Sequence, residues 1–252
     1  METIDILGVN VNPMTVDELH EQINNFIRQE EHALVLNVNV HCMNLMYDVS
    51  WLRPFLNSAE IVFCDGIGVV IGAWMLGEYL PQRITYADWM WQLCAFAESE
   101  GHSLFLLGAK EGISEQARDK LMQTFPQLNI VGTHHGYFTK TPEHPENQAV
   151  IEVINRTKPD ILMVSFGMPL QEKWLLENWD SLDANVALTG GAALDYISGN
   201  LRRAPKWMTD NGLEWLGRLI IEPRRLWQRY VIGNPLFLFR VLQYRIAKHQ
   251  HE

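Results

Sequence analysis

Asp65 is the carboxylate whose neighbours best suit it to chemistry. It follows the apolar run Ile61-Val62-Phe63-Cys64 and precedes Gly66-Ile67-Gly68, a setting that points an acid from a strand end into a cleft. A carboxylate there can take a proton from a reacting hydroxyl, or it can cap the free amides of the next helix; spacing alone leaves both readings open. Asn37 and Asn39 end another apolar run and offer donor and acceptor together, as ligand contacts or as turn formers. Gln171 follows Gly167-Met168-Pro169, where proline opens a helix and sets the amide in its first turn. That amide suits a ligand hydroxyl or a phosphate, and its plainer reading is a surface residue at a helix start. Arg83, Arg203, Arg224 and Arg225 could hold phosphate oxygens, although each alone also reads as a solvated surface charge. Tyr137 could stack on a planar base, with a core aromatic as the reading that sequence favours.

Metal chemistry has little to build on. No Asp-Xaa-Asp pair occurs anywhere, and His134 and His135 lack a third ligand at suitable spacing, so they read as loop or pocket residues. Cys42, Cys64 and Cys94 lie in apolar surroundings without Cys-Xaa-Xaa-Cys spacing, which predicts buried thiols rather than a disulfide framework. We expect neither a metal nor an organic cofactor.

The elements that must position these residues alternate between short β-rich runs and amphipathic helical windows, without internal repeats. Strands are expected over Ile4 to Val11, Ala33 to Asn39, Glu60 to Cys64, Ser103 to Leu107, Asn129 to Thr133, Asp160 to Phe166 and Asn185 to Leu188. Thr15 with Glu18, and Thr85 with Asp88, have the spacing of helix-capping pairs before apolar-periodic windows. Strand-helix alternation predicts an α/β fold with a mainly parallel sheet, helices on both faces, and ligands at the carboxyl ends of the strands. Glycine and polar turns follow several strands, at Asp65-Gly66, Gly108, Gly167 and Thr189-Gly190-Gly191, and are expected to converge on one rim. There they could admit a phosphate to free helix amides, or serve turn geometry alone.

The chain of 252 residues is 47% hydrophobic, enough for one large core and an appendage. Its N-terminus does not read as an export signal, and its most apolar stretch, Ile67 to Leu80, is too short and too glycine-broken to span a bilayer. A cytoplasmic location is the expectation. Net charge is −10, yet residues 202–252 hold ten Lys+Arg against four Asp+Glu. Trp207, Trp215, Trp227, Tyr230, Phe237, Phe239 and Tyr244 are interleaved with those cations, a mixture that suits an anionic membrane surface. The alternatives are aromatics packed on the core or on a second copy of the chain. The acidic body argues against nucleic acid.

Phe63-Cys64-Asp65-Gly66-Ile67-Gly68, Arg83, Gly136-Tyr137-Phe138 and Gly167-Met168-Pro169-Leu170-Gln171-Glu172-Lys173-Trp174 together resemble the WecG/TagA/CpsF family, glycosyltransferase family 26. Thr189-Gly190-Gly191-Ala192, Arg203-Ala204-Pro205-Lys206-Trp207, Glu222-Pro223-Arg224-Arg225-Leu226 and Gly233-Asn234-Pro235 continue the likeness in the family's order. The resemblance implies a Rossmann-like core over 1–201 and a helical appendage over 202–252 that completes the site and meets the membrane. It implies an inverting transfer from a UDP-sugar to a polyprenyl (undecaprenyl)-diphosphate-linked saccharide, in cell-surface polysaccharide synthesis at the inner face of the cytoplasmic membrane. It implies Asp65 as base, with Gly108, Gly167, Gln171, Gly190 and Gly191 near the ligands. Two departures bear on the donor sugar: Asn37 stands where many members carry Thr, and His41 where an acid is common.

Two other functions compete. Gly66, Gly68 and Gly72 resemble a dinucleotide turn, but Ile71 stands where Gly-Xaa-Gly-Xaa-Xaa-Gly needs its last glycine, which weakens a nicotinamide-dependent oxidoreductase. A non-catalytic scaffold of polysaccharide assembly has no need of Asp65, Arg83 and Gln171.

Overall fold

The computed structural model describes residues 1–250. Its strands are β1 (Ile4–Ile6), β2 (Val9–Val11), β3 (Ala33–Val38), β4 (Ile61–Cys64), β5 (Ser103–Gly108), β6 (Asn129–His134), β7 (Ile161–Ser165) and β8 (Val186–Thr189). The last six form a parallel sheet in the order β4-β3-β8-β7-β5-β6, so the fold is α/β, with a long C-terminal helix over Gly233–His249. β3, β4, β5, β7 and β8 are buried along their whole length, as expected of parallel strands covered on both faces.

The expected first strand is instead a hairpin. Leu7 and Gly8 take positive φ values of 57° and 83°, and the Gly8 N–H donates to Asp5 Oδ1 at 2.7 Å, which folds β1 antiparallel onto β2. Alternating Ile and Val gave the correct period but hid the turn, because Leu7 carries no turn signature. The helices Val16–Arg28 and Tyr86–Glu100 begin where expected. The Thr85 hydroxyl, however, is buried without a hydrogen-bond partner, so it does not cap the second of them.

The chain forms two compact units. One comprises Met1–Thr15, Asn37–Thr85 and the chain from Arg202 onward; the other comprises Val16–Leu36 and Tyr86–Leu201.

In the first unit the hairpin is tied to β4 by Asn12, whose N–H donates to Val62 O at 2.7 Å and whose Oδ1 accepts from Val62 N at 2.8 Å. The Gly233–His249 helix packs against the Ile67–Met75 helix at Gly72, where a methyl group would stand 2.6 Å from the Phe237 ring. Arg240 fixes the same helix by donating to Asn44 O at 3.1 Å and Asn44 Oδ1 at 2.8 Å while lying 3.9 Å from the Tyr47 ring centre.

In the second unit the helix Val16–Arg28 buries Val16, Leu19, Ile23 and Phe26, the spacing of one apolar helix face. Each such side chain stabilises the fold by about 1.5–3 kcal/mol. A closed polar network anchors the helix Leu170–Asn178: Trp174 Nε1 donates to Asn147 Oδ1 at 2.7 Å, Asn147 Nδ2 to Asn178 Oδ1 at 2.7 Å, and Asn178 Nδ2 to Trp174 O at 2.8 Å. All three side chains are buried, and the donors satisfy one another in place of water.

Candidate active site

Asp65 leaves the carboxyl end of β4 with its N–H bonded to Val38 O at 2.8 Å. Its Oδ2 accepts from Asn37 Nδ2 at 3.3 Å, so the first asparagine of Asn37-Val38-Asn39 orients the acid. Asn39 is the N-cap of the Val40–Leu45 helix, its Oδ1 accepting from Cys42 N at 3.0 Å. The residue expected as a ligand contact is thus engaged as a turn former on its oxygen. Gly66, with φ 105°, opens the helix Ile67–Met75, where no side-chain cap is made, so Asp65 is not acting as that helix's cap.

The acid sits in a field that sequence reading did not anticipate. Burial raises the Asp65 carboxyl to about 6, with Glu214 pushing in the same direction, while Arg229, Arg218 and a hydrogen bond from Asn39 oppose the rise. Arg203 pairs with Glu214 at 3.6 Å, and Arg83 donates to Thr209 O at 3.2 Å. His41 is lowered to about 4, first by burial and then by Arg229, and is neutral near pH 7. Arg224 and Arg225 are exposed, and Arg225 pairs with Glu222 at 2.7 Å. Of the tail cations, Arg218 and Arg229 therefore act on Asp65 and were missed. The spacing of Glu214 and Arg218, one helical turn apart, was the signal available; Arg229 offered none.

The second unit gathers the glycine turns. Gly108 and Gly190 are small for packing reasons: a side chain on Gly108 would strike the Ser165 backbone, and a methyl on Gly190 would lie 2.6 Å from both Met163 Sδ and Ser165 Oγ. Gly167 (φ 87°) and Gly191 (φ 57°) face open space and need the left-handed backbone instead. Gln171 joins them. Its Oε1 accepts from Gly167 N at 3.0 Å and from Gly191 N at 3.0 Å, while its Nε2 donates to Glu172 Oε1 at 2.8 Å. Gln171 is fully buried, which overturns the surface reading, and both acceptor positions of its oxygen are filled. Its work is to hold two turns together.

Tyr137 is 69% exposed, so it is not a core aromatic. Its loop is fixed: Tyr137 N donates to His135 Nδ1 at 3.2 Å, Gly136 N to Ala109 O at 2.8 Å, and Lys140 donates to Gly136 O and lies 4.3 Å from the Phe138 ring centre. Among the described residues no group of three His, Cys, Asp or Glu side chains gathers to hold a metal ion. The three cysteines are free and buried.

Residues 4–251 match the family described as Glycosyl transferase WecG/TagA/CpsF family. The chain belongs to the WecG/TagA/CpsF family. It is similar to the N-acetylglucosaminyldiphosphoundecaprenol N-acetyl-beta-D-mannosaminyltransferase of Staphylococcus aureus strain MRSA252, 27% identical over 240 residues that cover 94% of this chain and 91% of that one. Proteins of the same name from strains NCTC 8325 / PS 47 and COL match with the same identity and coverage. As a WecG/TagA/CpsF member the protein is a glycosyltransferase. Its family motifs divide between the two units, Asp65 and Arg83 in one and Gly167 to Trp174 in the other.

Proposed function

We propose that this protein transfers a sugar from a UDP-sugar to a polyprenyl-diphosphate-linked saccharide, inverting the anomeric centre, with Asp65 as the general base. The observation that carries this reading is the Asp65 carboxyl, held by Asn37 and raised to about 6. A base that titrates just below neutrality is ionised at pH 7 yet basic enough to take a hydroxyl proton as the bond to the sugar forms. Arg218 and Arg229 beside it supply positive charge for a phosphate-bearing ligand. The relatives' name supports a sugar acceptor carried on diphosphoundecaprenol.

In the second unit, Gly167 and Gly191 offer open left-handed turns where a diphosphate can approach the backbone, with Tyr137 as a stacking surface for the base. Metal-independent transfer is part of the proposal and rests on the missing Asp-Xaa-Asp pair. The chain from residue 202 is proposed to complete the Asp65 site and to meet anionic lipid at the cytoplasmic face. Trp207, Trp227 and Phe239 are exposed there, in support, although Tyr230 and Phe237 of the same series are buried. No helix among the described residues is long and apolar enough to cross a membrane.

The test is transfer from a panel of UDP-sugars to a short-chain polyprenyl-diphosphate-saccharide, with and without EDTA, read as the mass of the lipid product. One added sugar in EDTA is the expected outcome. UDP binding without transfer to any such acceptor would overturn the acceptor assignment, and absence of both binding and transfer would favour the scaffold.

A further inference from the structure

Glu172 has no role in the chemistry above, yet it is the most deeply buried acid in the second unit, 1% exposed. Its Oε1 accepts from Gln171 Nε2 at 2.8 Å, and its Oε2 is buried without a hydrogen-bond partner. Gln171 in turn gives its one oxygen to the amides of Gly167 and Gly191. Three links thus run from a buried carboxyl to two open turns, at the ends of β7 and β8. The rest of the Leu170–Asn178 helix is secured separately by the Trp174-Asn147-Asn178 network, so the helix start is the part that the carboxyl governs.

We propose that Glu172 is a positioning residue that latches the Gly167 and Gly191 turns through Gln171 when its carboxyl carries a proton, and releases them when it ionises. The inference rests on the reading of those turns as the place where the UDP-sugar binds.

The physical reason is the cost of burying an uncompensated charge. With the proton on Oε2, the group is neutral and Oε1 still accepts from Gln171. Without it, closing the turns seals an anion that no cation faces. Lys173 and Glu177 on the same helix pair with each other at 2.8 Å. The acid's protonation is set by burial, opposed by its bonds to Gln171 and to its own backbone, with no charged side chain contributing from any neighbouring element. Burial raises it to about 7. The closed arrangement is therefore favoured below that pH, and it loses ground to an opened one, in which water reaches the carboxyl, as pH rises through it.

The experiment compares the full-length protein with Glu172→Gln, which keeps the size and the acceptor for Gln171 but cannot ionise. UDP affinity is measured by calorimetry from about pH 6 to 8.5, and amide exchange at Gly167 and Gly191 is followed without ligand over the same range. The parent is expected to lose roughly tenfold in affinity across the range relative to the variant. Its two glycine amides should lose protection in parallel, while those of the variant keep it. Because UDP titrates identically in both samples, parallel pH profiles for the two proteins would overturn the latch. Failure of UDP to bind either protein would count against the proposed function, and the exchange profiles would still decide the latch. If Glu172→Gln does not fold, exchange at Gly167 and Gly191 in the parent alone decides it: protection that varies with pH no more than at Gly190 and Ala193 overturns the proposal.

Discussion

Asp65 lies at a strand end and Gln171 in the first turn of a helix, and their surroundings give them different work. The Asp65 carboxylate takes hydrogen bonds from Asn37 and Asn39 and sits in a field of opposing charges; Gln171 has every bond it can make through its oxygen. Replacing Asp65 by Asn should leave UDP affinity within about twofold and lower transfer by about 10²–10⁴-fold, measured as kcat with saturating donor. In the parent, transfer should rise as pH increases through about 6, where the carboxyl ionises, and that limb should be missing from the variant's residual rate. For stability the sign is opposite. A carboxyl whose folded value is raised from 3.8 to about 6 weakens the fold as pH climbs between those values, so Asp65→Asn should raise Tm at pH 8 relative to the parent. Gln171→Leu removes the acceptor from two glycine amides at once. Leaving them unpaired costs about 1–3 kcal/mol each, and the expected readout is weakened UDP binding with kcat at saturating donor much less affected.

The elements were far more legible than the side-chain bonds. Apolar runs such as Leu104 to Leu107 and Ile161 to Val164 announced buried parallel strands, because a strand covered on both faces has no reason to alternate. The β1 to β2 turn stayed hidden, since Leu7, a residue type that seldom adopts positive φ, takes a φ of 57° there. That the tail completes the site was implied only by the family resemblance, and which of its cations act on Asp65 was hidden. Which cations reach it depends on the register of Glu214–Ile221 and on a π-helical stretch at Gln228–Ile232, and neither follows from composition. Exposed Arg224 and Arg225 resembled ligands in sequence, and half-buried Arg218 and Arg229 did not stand out. Gly72 is the contact that holds the long helix to its partner helix. Gly72→Val would force its methyls into the Phe237 ring, so a loss of about 1–3 kcal/mol from overpacking is expected in urea unfolding. Transfer should fall with it, because the same segment carries Arg229.

At the scale of the whole molecule, the segment from Arg202 onward belongs to the unit that holds Asp65. Truncation after Arg202 is therefore expected to abolish co-sedimentation with anionic vesicles and also to expose the apolar surface that meets Phe237 and Val241. A gentler test is to add salt: if lipid attraction through Arg224, Arg225 and Arg245 contributes, vesicle binding by the intact chain should weaken as ionic strength rises. Insensitivity to salt would leave only the apolar face to account for binding. The order in which the chain is made has a consequence for its chemistry. Every segment of the glycine-turn unit has been synthesised by Leu201, whereas Glu214, Arg218 and Arg229, which act on the protonation of Asp65 beside burial, are synthesised after it. A nascent chain can thus form its glycine turns while its acid still lacks those charged neighbours, so chains released early should be inactive at the chemical step rather than partly active.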